Sequence, residues 1–266
     1  HNNQIVFVRH GISGEIAIVK ITAINSKFAF GDAVEILKSS KDRVEAPCQY
    51  SHPEGCGGCD FQHINPIAQS DLKKKVIQEQ FKRITKIEVD PELISTEPLN
   101  GLNWRSRLNL AISENGNVGL HAYKSNKIIE IKKCSIALEE INNLDIFTKK
   151  LDQKDNIKIS YSSENNFSIS QLGKKISGSD NLKEKVDGNN YTISPQSFWQ
   201  SHKNAPKLLL QQVIKLAKIK QGQIICDLYG GSGLFTLPLS KLTGENGEVH
   251  LIERDDTCIQ DANKMF

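Results

Sequence analysis

The sequence predicts a mixed chain: a small β-barrel, then a β-rich central part, then the opening of a parallel α/β layer. Three observations predict it. Residues 4–38 hold short apolar strands with no helix between them. Residues 104–136 return to strands joined by a tight turn. From residue 205 the pattern alternates between helix and strand, which marks a doubly wound parallel sheet.

The elements follow in order. Gln4-Ile-Val-Phe-Val-Arg-His10 reads as a short strand, Gly11 to Gly14 as a turn, and Glu15 to Ile24 as a long apolar strand. Ala33 to Leu37 is a further strand. Three short strands in about 45 residues suggest a small closed or partly open, OB-like barrel. Pro47 punctuates its end, and residues 48–63 form a loop of Cys, Gly and Pro. Residues 66–86 become helical, with Leu72, Val76, Ile77 and Phe81 at helix spacing. Lys73, Lys74, Lys75, Lys82, Arg83 and Lys86 make that helix cationic, and a solvated face is its simplest reading.

Trp104 to Ile112, the hairpin Glu114-Asn-Gly-Asn117, Val118 to Tyr123 and Lys127 to Ile131 read as a meander. Residues 137–190 are polar, with a helix expected near 138–150 and a few weak strands. Pro206 to Ile219 is an amphipathic helix, Gln223 to Asp227 a buried strand, and Leu234 to Leu242 a helix. Glu248 to Glu253 is a second strand, and a second helix starts at Thr257. The domains expected are therefore 1–46, 47–192 and 193–266.

The 266 residues suit about two domains at ~150 residues each. Apolar residues are 38% of the chain, and the 18 glycines bring this to about 45%, within the globular range. Disordered and fibrous classes are excluded, and no apolar run approaches the ~20 residues of a membrane span. The start His1-Asn2-Asn3-Gln4 carries no basic-then-apolar leader, and the last residues stop inside a helical pattern. A piece of a longer protein is expected. The net charge of +3 permits an acidic partner such as RNA without demanding one.

Four of the six cysteines form one candidate set. Cys48, Cys56, Gly57, Gly58, Cys59 and then Cys134 suit a metal centre, since two cysteines separated by two glycines can chelate one centre and backbone N–H groups can approach the sulfurs. Thiolates suit zinc and iron–sulfur clusters alike, spacing alone slightly favouring zinc. Without a secretory leader, metal or redox chemistry in the cytoplasm is expected over a disulfide framework.

Asp227-Leu-Tyr-Gly-Gly-Ser-Gly233 lies after a strand and before a helix. Gly231 and Gly233 permit a tight turn and close approach of a cofactor to the backbone. Glu253 ends the next strand, where a carboxylate can accept from ribose hydroxyls. A dinucleotide loop would need its third glycine at Thr236, so a nicotinamide oxidoreductase is disfavoured and S-adenosylmethionine fits better. Pro195-Gln-Ser-Phe-Trp-Gln200 offers aromatics beside amides for stacking on a base, although Phe198 and Trp199 as core is the plainer reading. Trp104-Arg105-Ser-Arg107 is a basic strand edge.

Taken in order, these residues resemble the TrmA/RumA family of uridine-5 RNA methyltransferases over essentially the whole chain. The resemblance implies a TRAM domain lacking its first strand. It also implies a four-iron four-sulfur cluster on Cys48, Cys56, Cys59 and Cys134, which moves the expected metal from zinc to iron–sulfur. Phe198-Trp199-Gln200 resembles the family's F-x-Q segment, whose Gln contacts S-adenosylmethionine and whose Phe sits near the target base. Tyr229, Gly231, Gly233 and Glu253 match the family's cofactor loop and ribose acid. Leu234 departs from the pattern, since some members carry an Asn there.

The family's reaction uses a Cys thiolate on C6 of uracil and a carboxylate base at C5. By the resemblance both lie beyond Phe266, so no catalytic residue is expected in this chain, which alone should be inert. In the family the 66–86 helix packs with the catalytic domain. RNA contacts are expected at Arg9, Arg105, Arg107 and Phe198. Ribosomal RNA is the expected substrate, with transfer RNA as the alternative, no membrane contact and a monomeric state. A non-catalytic RNA-binding metalloprotein is the rival from another class.

Overall fold

The computed structural model describes residues 4–94, 97–151 and 155–265. In chain order its elements begin with β1 (Ile5–Arg9), β2 (Ile16–Ile24), β3 (Phe28–Lys38), α1 (Pro66–Thr85), β4 (Arg107–Ile112), β5 (Val118–His121) and β6 (Ile128–Glu130). There follow α2 (Glu139–Asn142), β7 (Ile157–Tyr161), β8 (Phe167–Gln171), β9 (Lys174–Gly178), β10 (Leu182–Val186) and β11 (Asn189–Ile193). The last are α3 (Ala205–Ala217), β12 (Ile224–Leu228), α4 (Thr236–Thr243), β13 (Glu248–Ile252) and α5 (Asp256–Asn263). The chain forms two compact units, His1–Ser95 with Asn117–Ser135, and Thr96–Gly116 with Ile136–Phe266. These cut the chain differently from a division at residues 46 and 192, because the strands of the expected meander are shared out between them.

In the first unit β1, β3 and β2 form a three-stranded sheet in that order, with β1 parallel and β2 antiparallel to β3. The register of β2 on β3 shifts three times. Such bulges bend a strand and increase its twist. Among the described residues these strands make an open sheet, where the sequence predicted a closed or partly open barrel. β3 is longer than expected because Phe28, Ala29 and Phe30 pair with β1, and Ala29 and Phe30 pair with β2 as well. Helix α1 starts at an Asn65 cap whose side chain accepts from the Ile67 N–H, with Pro66 in the first turn.

Glu15 and Arg43 lock the turn before β2. Arg43 donates through Nε to Glu15 Oε1 and through Nη2 to Oε2, both at 2.6 Å, and Nη2 also reaches the His10 carbonyl at 2.7 Å. The Ile12 and Ser40 N–H groups donate to the same carboxylate. The Arg43 hydrogen bond holds the Glu15 carboxyl down to about 2 against the opposing effect of burial, with the Ser40 and Ile12 bonds adding to it. Because the folded value is depressed, this stabilisation is complete above about 4.5 and is lost as pH falls toward 2. The protection factors of the β2 and β3 amides, corrected for the intrinsic pH dependence of exchange, should therefore fall as pH drops across that window. Glu15→Gln should abolish the acid step and cost about 3 kcal/mol at neutral pH, since it leaves Arg43 without its charge partner.

In the second unit β4, β7, β8 and β9 form an antiparallel run, and β10–β11 is a separate hairpin. Leu182, Val186, Tyr191 and Ile193 point inward from that hairpin by period-two alternation and join Trp199, Leu210, Leu234 and Leu237 in one core. The expected helix at 138–150 is only the four-residue α2 and a single 3-10 turn at Asp145–Phe147. β12 and β13 pair in parallel, from Ile224↔Glu248 to Leu228↔Ile252. With α4 between them and α5 after, this is the alternating pattern expected from residue 205. No helix among the described residues is long and apolar enough to cross a membrane.

Candidate functional site

The turn after β12 is built by three local devices. The Gly233 N–H donates to the Gly230 carbonyl at 3.0 Å, closing a tight turn. Gly231 and Gly233 have φ of +55° and +80°, a region that penalises other residues. A Cβ on Gly233 would lie 3.1 Å from Met265 Cε and 3.5 Å from Ala262 Cβ, so this glycine also lets α5 approach. Asp227 is buried below the turn and accepts from the Thr236 hydroxyl at 2.6 Å. Burial raises the Asp227 carboxyl, against the Thr236 hydrogen bonds. Thr236 breaks a dinucleotide pattern, and its hydroxyl is the group that ties the start of α4 to β12.

Glu253 meets this turn. Its Oε2 accepts from the Gly231 N–H at 2.9 Å, and its Oε1 accepts from the Arg254 and Asp255 N–H groups at 2.6 and 2.9 Å. The Asp255, Arg254 and Gly231 bonds, in that order, lower its carboxyl below the usual range. The result is an ionised carboxylate fixed at the C-terminal ends of two parallel strands, where ligands bind in open α/β sheets. Tyr229 stands beside it at φ +59° and is 92% exposed, a large aromatic held outward in a strained conformation. The Leu234 carbonyl accepts from the buried Tyr191 hydroxyl at 3.0 Å. Sequence reasoning missed Tyr191, whose only signal is an aromatic at an inward position of a hairpin.

Gln200 lines a cavity of about 250 Å³ with Glu184, Trp199, Lys203 and Asn204. Phe198 and Trp199 divide: Trp199 is core, whereas Phe198 is 67% exposed. A common core role for both is therefore corrected, because the chain direction that buries one ring turns its neighbour out.

The expected RNA contacts also divide. Arg107 is 8% exposed, and its Nη1 donates to the Ser197 carbonyl at 2.6 Å. Burial pulls its guanidinium down to about 10, against the pull of Glu184 and Asp261. It belongs to the interior, not to the basic edge where the sequence placed it, since it is the first residue of β4 and points to the covered face. Arg105 donates through Nε to the Arg107 carbonyl. In the first unit Arg9 lies 3.6 Å over the Tyr123 ring and pairs with Asp60 at 3.0 Å and Asp32 at 3.8 Å. There it lines a cleft of about 390 Å³ with Phe30, Tyr123, Lys124 and Lys127. Of the α1 cations, Lys74 pairs with Asp90 at 2.7 Å.

The four cysteines of the first unit share one neighbourhood. The Gly57 N–H donates to the His121 carbonyl at 2.9 Å. The Tyr50 hydroxyl accepts from the Lys132 N–H at 3.1 Å, tying the 48–59 loop to the segment that carries Cys134. The Gly58 N–H donates to Cys56 Sγ at 3.3 Å. Burial pushes the Cys59 thiol up to about 11 and the Cys56 thiol upward, and the charges of Cys134 and Cys48 add to both. Among the described residues no three His, Cys, Asp or Glu side chains already form a set that could hold a metal ion. The donor chemistry, cysteine thiols on the 48–59 loop and on the segment tied to it, beside the Gly58 N–H, is of the kind that can hold a thiolate-bound centre. Cys258 is buried in the first turn of α5 and Cys226 is exposed on β12.

Residues 1–34 match the TRAM domain model. An uncharacterized RNA methyltransferase of Streptomyces avermitilis is 32% identical over 97% of this chain and 69% of its own length. A 23S rRNA (uracil(1939)-C(5))-methyltransferase of Acinetobacter baylyi is 25% identical over 97% of this chain and 66% of its own length. The chain belongs to the TrmA/RumA family of RNA uracil-C5 methyltransferases. It spans about two thirds of the length of these relatives. The family fold is seen in the crystal structure of Pyrococcus abyssi tRNA (uracil-54, C5)-methyltransferase in complex with S-adenosyl-L-homocysteine. That structure aligns at a TM-score of 0.70 and 20% identity over 98% of this chain and 71% of that one.

Proposed function

We propose that the full-length protein transfers a methyl group from S-adenosylmethionine to C5 of a uracil in RNA, and that the RNA is ribosomal. The observation that carries the reading is the Glu253 carboxylate fixed against the Gly231 turn. S-adenosylmethionine supplies an electrophilic methyl group when bound. Glu253 would accept from its ribose, the Gly231–Gly233 turn would admit its methionine part to the backbone, and Tyr229 and Gln200 would border it. Phe198, exposed, would stack on the target base once that base is flipped from its helix. Arg9, Tyr123, Lys124 and Lys127 would meet RNA in the first unit through phosphates and ring faces. Cys48, Cys56, Cys59 and Cys134 would hold a four-iron four-sulfur cluster that braces the loop. Neither Cys226 nor Cys258 is assigned as nucleophile, since family resemblance places nucleophile and base beyond Phe266.

The ribosomal assignment draws on relatives named as 23S rRNA enzymes, and transfer RNA is supported by the name of the structural neighbour. The test supplies the full-length protein with methyl-labelled S-adenosylmethionine and, separately, unmodified ribosomal and transfer RNA. Label recovered as 5-methyluridine from ribosomal RNA supports the reading. Label in transfer RNA alone changes the substrate, and no label in either overturns it.

A further inference from the structure

Asp261 is fully buried on α5 and gathers four donors. Ser194 donates to it through N–H at 2.7 Å and through Oγ at 2.6 Å, Ser197 through Oγ at 2.6 Å, and Lys264 through Nζ at 2.8 Å. Ser194 and Ser197 close a turn with Pro195 at its second position, the Ser197 N–H donating to the Ser194 carbonyl at 3.0 Å. From the other side Arg107 grips the Ser197 carbonyl, while its Nε and Nη2 have no hydrogen-bond partner among the described residues. The three residues that follow are Phe198, Trp199 and Gln200. Trp199 is sunk in the core, and beyond Gln200 the Ser201 carbonyl accepts from the Ser106 N–H at 2.7 Å. The segment is thus held at both ends and by its middle residue.

The same helix touches the other half of the site. Asp255 caps α5 by accepting from the Cys258 N–H, two residues after Glu253. Ala262, next to Asp261, is the residue that Gly233 allows close. Helix α5 therefore has the cofactor turn against one part of its surface and the Ser194–Ser197 turn bonded to another.

We infer that Asp261 is a positioning residue: by clamping the Ser194–Ser197 turn to α5 it sets Phe198 and Gln200 at a fixed offset from the Gly231–Gly233 turn. This rests on the methyl-transfer reading above. A carboxylate is required because a buried acceptor must serve four donors, which an amide with one oxygen cannot do. Arg107 acts as the opposing jaw.

The experiment uses the full-length protein with Trp199 as sole tryptophan, other tryptophans being replaced by phenylalanine. Asp261→Ala, Asp261→Asn and Ser197→Ala are compared with that parent at a temperature well below every melting point. Asp261→Ala should slow methyl transfer at saturating substrates about ten- to a hundredfold, the cost of a reacting group displaced by about 1 Å, and also weaken S-adenosylmethionine binding, because Gln200 moves with Phe198. Trp199 emission should shift to the red and iodide quenching increase. Ser197→Ala, with one bond lost, should give a smaller effect of the same kind. Parent rate and parent Trp199 emission in the variants, with only a lower melting point, would overturn the inference by making Asp261 a purely structural residue. Should Asp261→Ala fail to fold, Ser197→Ala decides by the same two readouts. A parent protein that methylates no uracil, combined with a Trp199 shift in the variants, would sink the functional reading and retain the clamp.

Discussion

Glu253→Ala is expected to weaken S-adenosylmethionine binding about ten- to a hundredfold, the equivalent of roughly 1.5–3 kcal/mol for hydrogen bonds to a charged group. Three backbone N–H groups already aim the carboxylate and keep it ionised at neutral pH, so little ordering cost falls on binding. Each carboxylate oxygen offers two lone-pair directions. Oε1 uses both on Arg254 and Asp255, whereas Oε2 uses one on Gly231 and keeps one for a ribose hydroxyl. The alanine variant also strands three N–H groups, so binding is measured by calorimetry well below the melting point. A cofactor analogue without its ribose hydroxyls separates the two effects. It should bind the native protein more weakly than S-adenosylmethionine does, and the alanine variant should not distinguish the two ligands. Equal discrimination by both proteins would remove Glu253 from the cofactor site.

What was legible in the sequence follows from how local the signal is. The Gly231–Gly233 turn and the strands around it were readable because turn chemistry and apolar runs lie within a few residues of each other. The hairpin β10–β11 was equally local, since Val186-Asp187-Gly188-Asn189 carries an Asp-Gly pair with positive φ at both positions, yet the polar surroundings of 137–190 concealed it. The short α2 defeats a helix expected at 138–150 because the chain leaves helical geometry at Leu144, which is extended, directly after the Asn143 cap.

Arg107 and Asp261 could not be read from spacing. Both are charged residues in patterns that suit a surface, and their burial depends on partners 90 and 64 residues away in the chain. A buried charge survives only when long-range bonds replace its water. No single-sequence periodicity records such bonds. The same holds for Phe198 and Trp199, adjacent aromatics of which only the structure shows which ring is interior. Glu253 was legible as an acid closing the second parallel strand, whereas the pairing of its oxygens with the Gly231, Arg254 and Asp255 backbone depends on how the two turns meet in the fold.

The largest effect on the first unit is expected from Cys134→Ser. If the four cysteines hold an iron–sulfur cluster, anaerobically purified full-length protein should be brown and carry about four iron atoms per chain. Cys134 would be the remote ligand: the 48–59 loop would supply three thiols, and the Tyr50–Lys132 and Gly57–His121 bonds tie that loop to the segment carrying the fourth. Removing it should bleach the protein and lower its melting point well below that of Cys226→Ser, which changes an exposed thiol on β12 and serves as the control. The argument is energetic. Burial holds the Cys59 thiol up at about 11 and raises Cys56 as well, so without a bound centre these two groups stay protonated and contribute little to folding. Binding a centre converts them to ligands, and that binding energy becomes folding energy. Loss of one ligand therefore removes most of it at once. A colourless protein with one zinc per chain would return the site to zinc, and equal melting points for Cys134→Ser and Cys226→Ser would show that the four thiols hold no centre at all.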